Sequence, residues 1–176
     1  MERVLVLGIS GAGKSTLARA LGRELGLPYH ELDALHFCGP QWRVSPTFAG
    51  DTARIVAGDR WVLDGQGPAA VRDLMWKRAD TVVWLDLPRH VVMRRVLHRS
   101  LRRSLRHEQL FGGNREAWRE WLRADHPVRW AWSRFAERRT EITQRAADPR
   151  FAPLRVVRLS SPREAALWLR GHTGTA

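Results

Sequence analysis

One eight-residue segment constrains this chain more than any other: Gly8-Ile9-Ser10-Gly11-Ala12-Gly13-Lys14-Ser15. It satisfies G-x-x-x-x-G-K-[ST] at every fixed position, and at this chain's composition a chance match is about one in a thousand over the whole length. An apolar run, residues 4–7, precedes it, and Leu17, Ala18, Leu21 and Leu25 follow at helical spacing. A strand that turns through glycines into a helix points backbone N–H groups at the helix N-terminus, where anions are favoured. Gly8, Gly11 and Gly13 let that backbone approach a phosphate without a Cβ in the way, with Ser10 and Ala12 between them. Lys14 places a point charge against β- and γ-phosphates, the Ser15 hydroxyl can ligate Mg²⁺, and Thr16 follows it. The expected ligand is ATP with Mg²⁺.

The rest of the chain alternates apolar runs with helical patterns, the mark of a parallel α/β sheet. Strands are expected at 4–7, 29–32, 61–63, 81–85 and 154–159. Helices are expected at 15–25, 46–57, 69–78, from Pro88 to about His107, from Trp118 to about Ala147 with a break at Pro127, and at 163–169. These make one three-layer α/β/α domain over residues 1–176, with the core in 1–88 and 150–176 and an Arg-rich helical lid in about 89–149. The apolar runs fall far short of the ~20 residues that a membrane span needs. The N-terminus lacks the pattern of a signal peptide. A single cysteine, Cys38, forbids an internal disulfide and fits a reducing, cytoplasmic setting.

Charge is uneven. Thirty basic residues stand against eighteen acidic ones, a net charge of +12, and only Lys14 and Lys77 among the thirty are lysines. Residues 89–145 carry 15 Arg and 6 acids, so most of the excess lies in one segment. Arginine favours bidentate phosphate and carboxylate partners, although a GC-rich coding bias also writes Arg for Lys. The phosphate-loop pattern names a nucleotide, not a reaction. There is no N-K-x-D for guanine, and the two apolar runs that end in Asp64 and Asp86 lack the following Glu of a motor ATPase. A small-molecule kinase is the economical reading.

Further motifs carry a family resemblance. Asp86-Leu87-Pro88 is followed by Arg95 and Arg99 at nine and thirteen residues beyond the Asp, a pattern that resembles the adenylate kinase and shikimate kinase group. Leu32-Asp33-Ala34-Leu35, Trp61 to Gly65, Arg78 to Asp86 and Ser161-Pro162-Arg163 resemble more narrowly the small adenylate-kinase-like proteins called DNA topology modulation protein FlaR. The likeness runs over nearly the whole chain. It implies a P-loop kinase fold with a five-stranded parallel sheet in the order 2-3-1-4-5, and transfer of the ATP γ-phosphoryl to a small acceptor. That acceptor would be a nucleotide, a nucleoside or another hydroxyl compound.

The resemblance also assigns roles. Arg95 and Arg99 would neutralise the moving phosphoryl, beside the point charge of Lys14. The alternative is an amphipathic helix with Met93, Leu97, Leu101 and Leu105 on one side and arginines on a solvated one. Asp33, just past the second strand, would take the acceptor's proton, or else merely cap a helix. Asp64 would hold Mg²⁺ through water together with Ser15, or else form an Asp-Gly turn. Phe111-Gly112-Gly113-Asn114 offers pivots for a lid, and Arg129, Arg134, Arg138 and Arg139 are candidates to close over phosphates. His30 and His36 flank Asp33 as core or rim residues, and Trp42 with Arg43 stand where an acceptor would sit. A second function class remains open. The basic segment also suits a nucleic-acid-binding regulator whose nucleotide site is a switch.

Overall fold

The computed structural model describes residues 1–106 and 127–173. In chain order it contains β1 (Arg3–Gly8), α1 (Lys14–Leu25), β2 (Tyr29–Glu31), α2 (Leu32–His36), β3 (Phe37–Gly39), β4 (Arg43–Val44), α3 (Phe48–Ala57), β5 (Trp61–Asp64), α4 (Ala69–Arg78), β6 (Thr81–Leu85), α5 (Arg89–Arg106), α6 (Pro127–Ala146), β7 (Arg155–Leu159) and α7 (Pro162–Thr173). Five strands form one parallel sheet in the order β2-β5-β1-β6-β7. Counted among the sheet strands alone, this is the expected 2-3-1-4-5.

The strand sequences explain the layering. Val4 to Leu7 are all fully buried, because helices cover both faces of a parallel sheet and leave no polar side. Alternate residues serve alternate faces. Val4 and Val6 pack with Leu17, Leu21, Val92, Val96 and Trp168, from α1, α5 and α7. Leu5 and Leu7 pack with Phe48, Val56, Val71 and Met75, from α3 and α4. α6 serves both, through Ala131 on the first face and Ile142 on the second. Each such side chain removed from water contributes about 1.5–3 kcal/mol. At the opposite end of the sheet, the Asp80 carboxylate accepts from the backbone N–H groups of Glu2 and Arg3 at 2.9 and 2.8 Å, which fixes the start of β1 against β6.

Three local features differ from the sequence expectation. Leu32 continues the apolar pattern of β2 yet opens α2, where it is buried beneath the loop that follows β5. The segment from Phe37 to Val44 forms a small antiparallel ribbon, β3-β4. α5 buries the ridge Val92, Val96, Ser100 and Ser104, while Leu97, Leu101 and Leu105 are 44%, 43% and 64% exposed. β-branched and small side chains four residues apart let this helix close onto its neighbours, and the leucine row lies on the next ridge. The expected pivots at Phe111 to Asn114 and the helical pattern from Trp118 to His126 lie outside the described residues.

Candidate phosphate site at the carboxyl edge of the sheet

β1, β5 and β6 run parallel and in register, so Gly8, Asp64 and Leu85 end at one edge. The Gly8–Ser15 loop leaves β1 there and turns into α1, with Ala12 N–H donating to the Ile9 carbonyl at 3.0 Å. Gly11 adopts φ +85°, and a Cβ placed on it would lie 2.3 Å from Val96 Cγ2 and 3.1 Å from the Val92 carbonyl oxygen. Glycine is therefore required for two reasons, backbone conformation and the close approach of α5. Gly13, at φ +102°, ends the loop as the residue before α1.

That approach brings both expected arginines to the loop. Arg95 Nη1 donates to the Ala12 carbonyl at 3.1 Å, and Arg99 Nη2 donates to Ser10 Oγ at 2.8 Å. Lys14 Nζ reaches the Ile9 carbonyl at 3.5 Å. Burial pushes the Lys14 pKa down, with the Arg99 charge adding to that; Asp33, Asp64 and Glu31 oppose it. Asp64 is 3% exposed, and burial pushes its carboxyl up against the pull of the Ser15 hydroxyl and Lys14. Asp33 sits in the first turn of α2 and is exposed. Thr16 is exposed on α1.

Glu31 was missed by sequence reasoning. Its Oε1 accepts from Ser15 Oγ at 3.4 Å and its Oε2 from Arg19 Nη2 at 2.8 Å, so it stands between the loop serine and a helix arginine. The available signal was its place at the carboxyl end of β2, two residues before Asp33. The residues fit a magnesium nucleotide. Gly11 keeps Cβ atoms out of the loop, and Ser15 with a buried carboxylate forms an oxygen donor set. Among the described residues there is no cluster of three His, Cys, Asp or Glu side chains that would cage a metal. A small donor set suits Mg²⁺, which keeps waters and phosphate oxygens as its other ligands.

The other candidates divide. Asp86, 9% exposed, accepts from Arg139 Nε at 3.1 Å and Arg158 Nε at 2.9 Å, and Arg158 lies 4.9 Å from the centre of the Trp84 ring. This aspartate is an anchor between α6 and β7. Arg134 pairs with Glu137, and Arg138 with Glu141 at 2.9 Å. His36 stands edge-on between Phe37 and Phe48, with ring centres 4.7 and 4.6 Å away, which is packing chemistry. Trp42 meets Phe37 edge-on at 5.3 Å, and Gln41 and Trp42 hold φ of 59° and 55°. Two bulky residues in the left-handed region cost about 1–2 kcal/mol each and mark a local constraint in the ribbon.

The sequence pattern of the ATPase family associated with various cellular activities (AAA) matches residues 4–95, and the chain belongs to that family. The matched stretch holds the phosphate loop, Asp33 and Asp64, and it ends at Arg95. No curated protein matches the sequence. Among solved structures, a sugar kinase from Janibacter sp. HTCC2649 is 20% identical with a TM-score of 0.57, over 97% of this chain and 93% of that one. A shikimate kinase from Acinetobacter baumannii, in complex with shikimate, is 16% identical with a TM-score of 0.54, over 98% and 90%. A gluconokinase from Sinorhizobium meliloti 1021 is 19% identical with a TM-score of 0.50, over 98% and 94%. These proteins share the fold of this chain.

Proposed function

We propose that this protein is an ATP-dependent phosphotransferase acting on a small hydroxyl compound. The observation that carries the reading is the grouping of unlike charges at one loop. Lys14, Arg95 and Arg99 stand at the phosphate loop, and Asp33 and Asp64 bear electrostatically on Lys14. Hydrolysis alone needs a water-polarising group, and neither Asp64 nor Asp86 is followed by a Glu. The similar folds named for sugar, shikimate and gluconate phosphorylation support transfer to a carbon-bound hydroxyl.

In this reading the acceptor oxygen attacks the γ-phosphorus and the bond from that phosphorus to the β–γ bridging oxygen breaks. ADP leaves, and Asp33 takes the hydroxyl proton. Lys14 and the loop amides hold the phosphate chain in the ground state, whereas Arg95 and Arg99 meet charge that develops on the moving group. Arg99 is already held by Ser10 and Arg95 by Ala12, so little reorganisation is needed. Magnesium, held by Ser15 and through water by Asp64, would screen the phosphate charge. The test is a transfer assay with ATP and a panel of sugars, sugar acids, nucleosides and nucleotides, scored for a phosphorylated product. ADP release without any phosphorylated acceptor would sink the reading in favour of a hydrolase.

A further inference from the structure

Tyr29 is the only tyrosine of the chain, and its hydroxyl oxygen is buried without a hydrogen-bond partner. Such a group gives up its bonds to water and gains none in return, so its place calls for a physical reason. The packing of the ring supplies one. Ser15, Arg19 and Gly22 follow at i, i+4 and i+7, on one face of α1. A Cβ on Gly22 would lie 3.1 Å from the Tyr29 Cβ and 3.0 Å from the Leu27 carbonyl oxygen. Glycine weakens a helix, and here it lets the tyrosine close onto α1. One turn nearer the phosphate loop, the Arg19 guanidinium carbon stands 5.5 Å from the centre of the ring. The ring therefore runs along α1 from Gly22 past Arg19, and its hydroxyl comes near Ser15.

The surroundings of that hydroxyl are short of donors. Tyr29 and Glu31 are two residues apart on β2, so both face α1. Ser15 Oγ donates to Glu31 at 3.4 Å, a long bond for two oxygens, and the other Glu31 oxygen is held by Arg19. A phenol is protonated at neutral pH. Here burial pushes the Tyr29 pKa further up, with Asp64 and Glu31 adding to it and Arg19 and Ser15 opposing. A serine hydroxyl has one proton and two lone pairs. Glu31 takes the proton of Ser15, and a cation takes one lone pair. The other lone pair lacks a donor, and Tyr29 is a donor that lacks an acceptor.

We propose that Tyr29 is a positioning residue of the magnesium site: its hydroxyl donates to Ser15 Oγ, Ser15 donates to Glu31, and the second lone pair of Ser15 Oγ is left for the cation. This inference rests on the magnesium-nucleotide part of the phosphotransferase reading and adds a residue to it. Hydrogen bonds in a chain polarise one another, so the bond from Tyr29 makes Ser15 a better donor to Glu31. It also fixes a serine rotamer that is otherwise free to hop between staggered wells. Without a cation the chain is slack, as the open Tyr29 hydroxyl and the long Ser15–Glu31 bond show. Filling the site closes it.

Two measurements on the whole protein test this. Protein isotope-labelled at tyrosine Cζ gives one NMR signal, whose position reports the hydrogen bond of the hydroxyl. That signal should move with ATP and magnesium together and stay in place with ATP and EDTA. Tyr29→Phe keeps the ring and removes a hydroxyl that the fold leaves unpartnered, so urea unfolding without ligand should find it at least as stable as the parent. In calorimetric titration with ATP across a magnesium series, its half-saturating magnesium concentration should rise about 3- to 10-fold, the worth of one neutral hydrogen bond. Added to Ser15→Ala, which has no hydroxyl to position, Tyr29→Phe should change the magnesium dependence no further. A signal that ignores magnesium, a variant with the parent's magnesium dependence, or a full further loss in the Ser15→Ala background overturns the role of Tyr29 and leaves the nucleotide site standing. A Tyr29→Phe protein that unfolds more readily without ligand makes the hydroxyl structural and overturns it too. A parent that binds no ATP at any magnesium concentration removes the nucleotide reading and Tyr29 with it.

Discussion

Arg99 donates to Ser10 Oγ at 2.8 Å, across 89 residues of sequence, and so ties the middle of α5 to the phosphate loop. The bond orients a guanidinium beside the loop before any phosphate charge develops. If this arginine acts in transfer, its loss falls on the transition state. Arg99→Ala should lower kcat about a thousandfold, roughly 4 kcal/mol, and weaken ATP binding far less. Arg95→Ala should behave alike, since its partner is the Ala12 carbonyl of the same loop. Turnover and nucleotide affinity measured side by side check this, and equal losses in both would reduce the arginines to ground-state binders.

Lys14 is expected to carry the ground state. Its ammonium is partly buried, and the charges of Asp33, Asp64 and Glu31 bear on it. Lys14→Ala should weaken ATP binding about 10- to 100-fold, the worth of a charge-assisted hydrogen bond. Ser15→Ala should flatten the dependence of ATP binding on magnesium concentration. Calorimetric titration with ATP across a magnesium series checks both.

The sequence was most legible where one residue type leaves no choice. The glycines and Lys14 fixed the loop, and the apolar runs fixed the strands, because both patterns are local and strongly constrained; the sheet order was legible only through the family resemblance. The face of α5 was not legible. A leucine row looks buried by hydrophobicity, but the loop at Gly11 admits only a slim ridge, and Val92, Val96, Ser100 and Ser104 supply it. Glu31 was hidden for a related reason. A three-residue strand has no pattern of its own, so a carboxylate at its end is indistinguishable from a solvent residue until Ser15 and Arg19 are placed. Arg72 and Glu141 pair across 69 residues of sequence, and no local spacing encodes such pairing.

Gly11 makes the local geometry testable by itself. Gly11→Ala should destabilise the fold by about 1–3 kcal/mol, as overpacking against α5 adds to the left-handed backbone cost. Combining Gly11→Ala with Val96→Ala removes the 2.3 Å clash but not the backbone conformation, so only part of the loss should return beyond the cavity cost of Val96→Ala alone. Urea unfolding of the four species gives the coupling. Strict additivity would mean that α5 does not press on the loop.

Asp80 makes a prediction for pH. Burial raises its pKa, but bonds from the Glu2 N–H, the Thr81 hydroxyl and the Arg3 N–H, with the N-terminal charge, more than offset this and hold it below the ordinary value. A depressed carboxylate contributes stability that is present above its unfolded pKa, about 3.9, and lost as pH falls through the folded value. Asp80→Ala should therefore cost about 1–2 kcal/mol near neutral pH, where two backbone donors lose their acceptor. The gap between parent and variant should narrow below about pH 4. Thermal unfolding at pH 7 and pH 3 checks it, and a gap independent of pH would show that the charge of Asp80 is not what matters.

Asp33 separates the two broad function classes. It is exposed at the start of α2, and its charge bears on Lys14. A proton acceptor in that place is worth about 10²- to 10⁴-fold in rate. Asp33→Asn keeps the shape and removes the base, so phosphoryl transfer should fall by about that factor while ATP affinity stays within a few-fold. A nucleotide-switched nucleic-acid binder predicts a different result. There the exposed arginines of α5, Arg94 and Arg102, would set a salt-dependent affinity for DNA, and Asp33→Asn would change nothing. The deciding comparison is transfer rate, ATP affinity and DNA affinity at two salt concentrations, in the parent and in Asp33→Asn. A transfer rate untouched by Asp33→Asn would remove this residue from the chemistry, and with it the assignment of the acceptor to the β2 edge of the sheet.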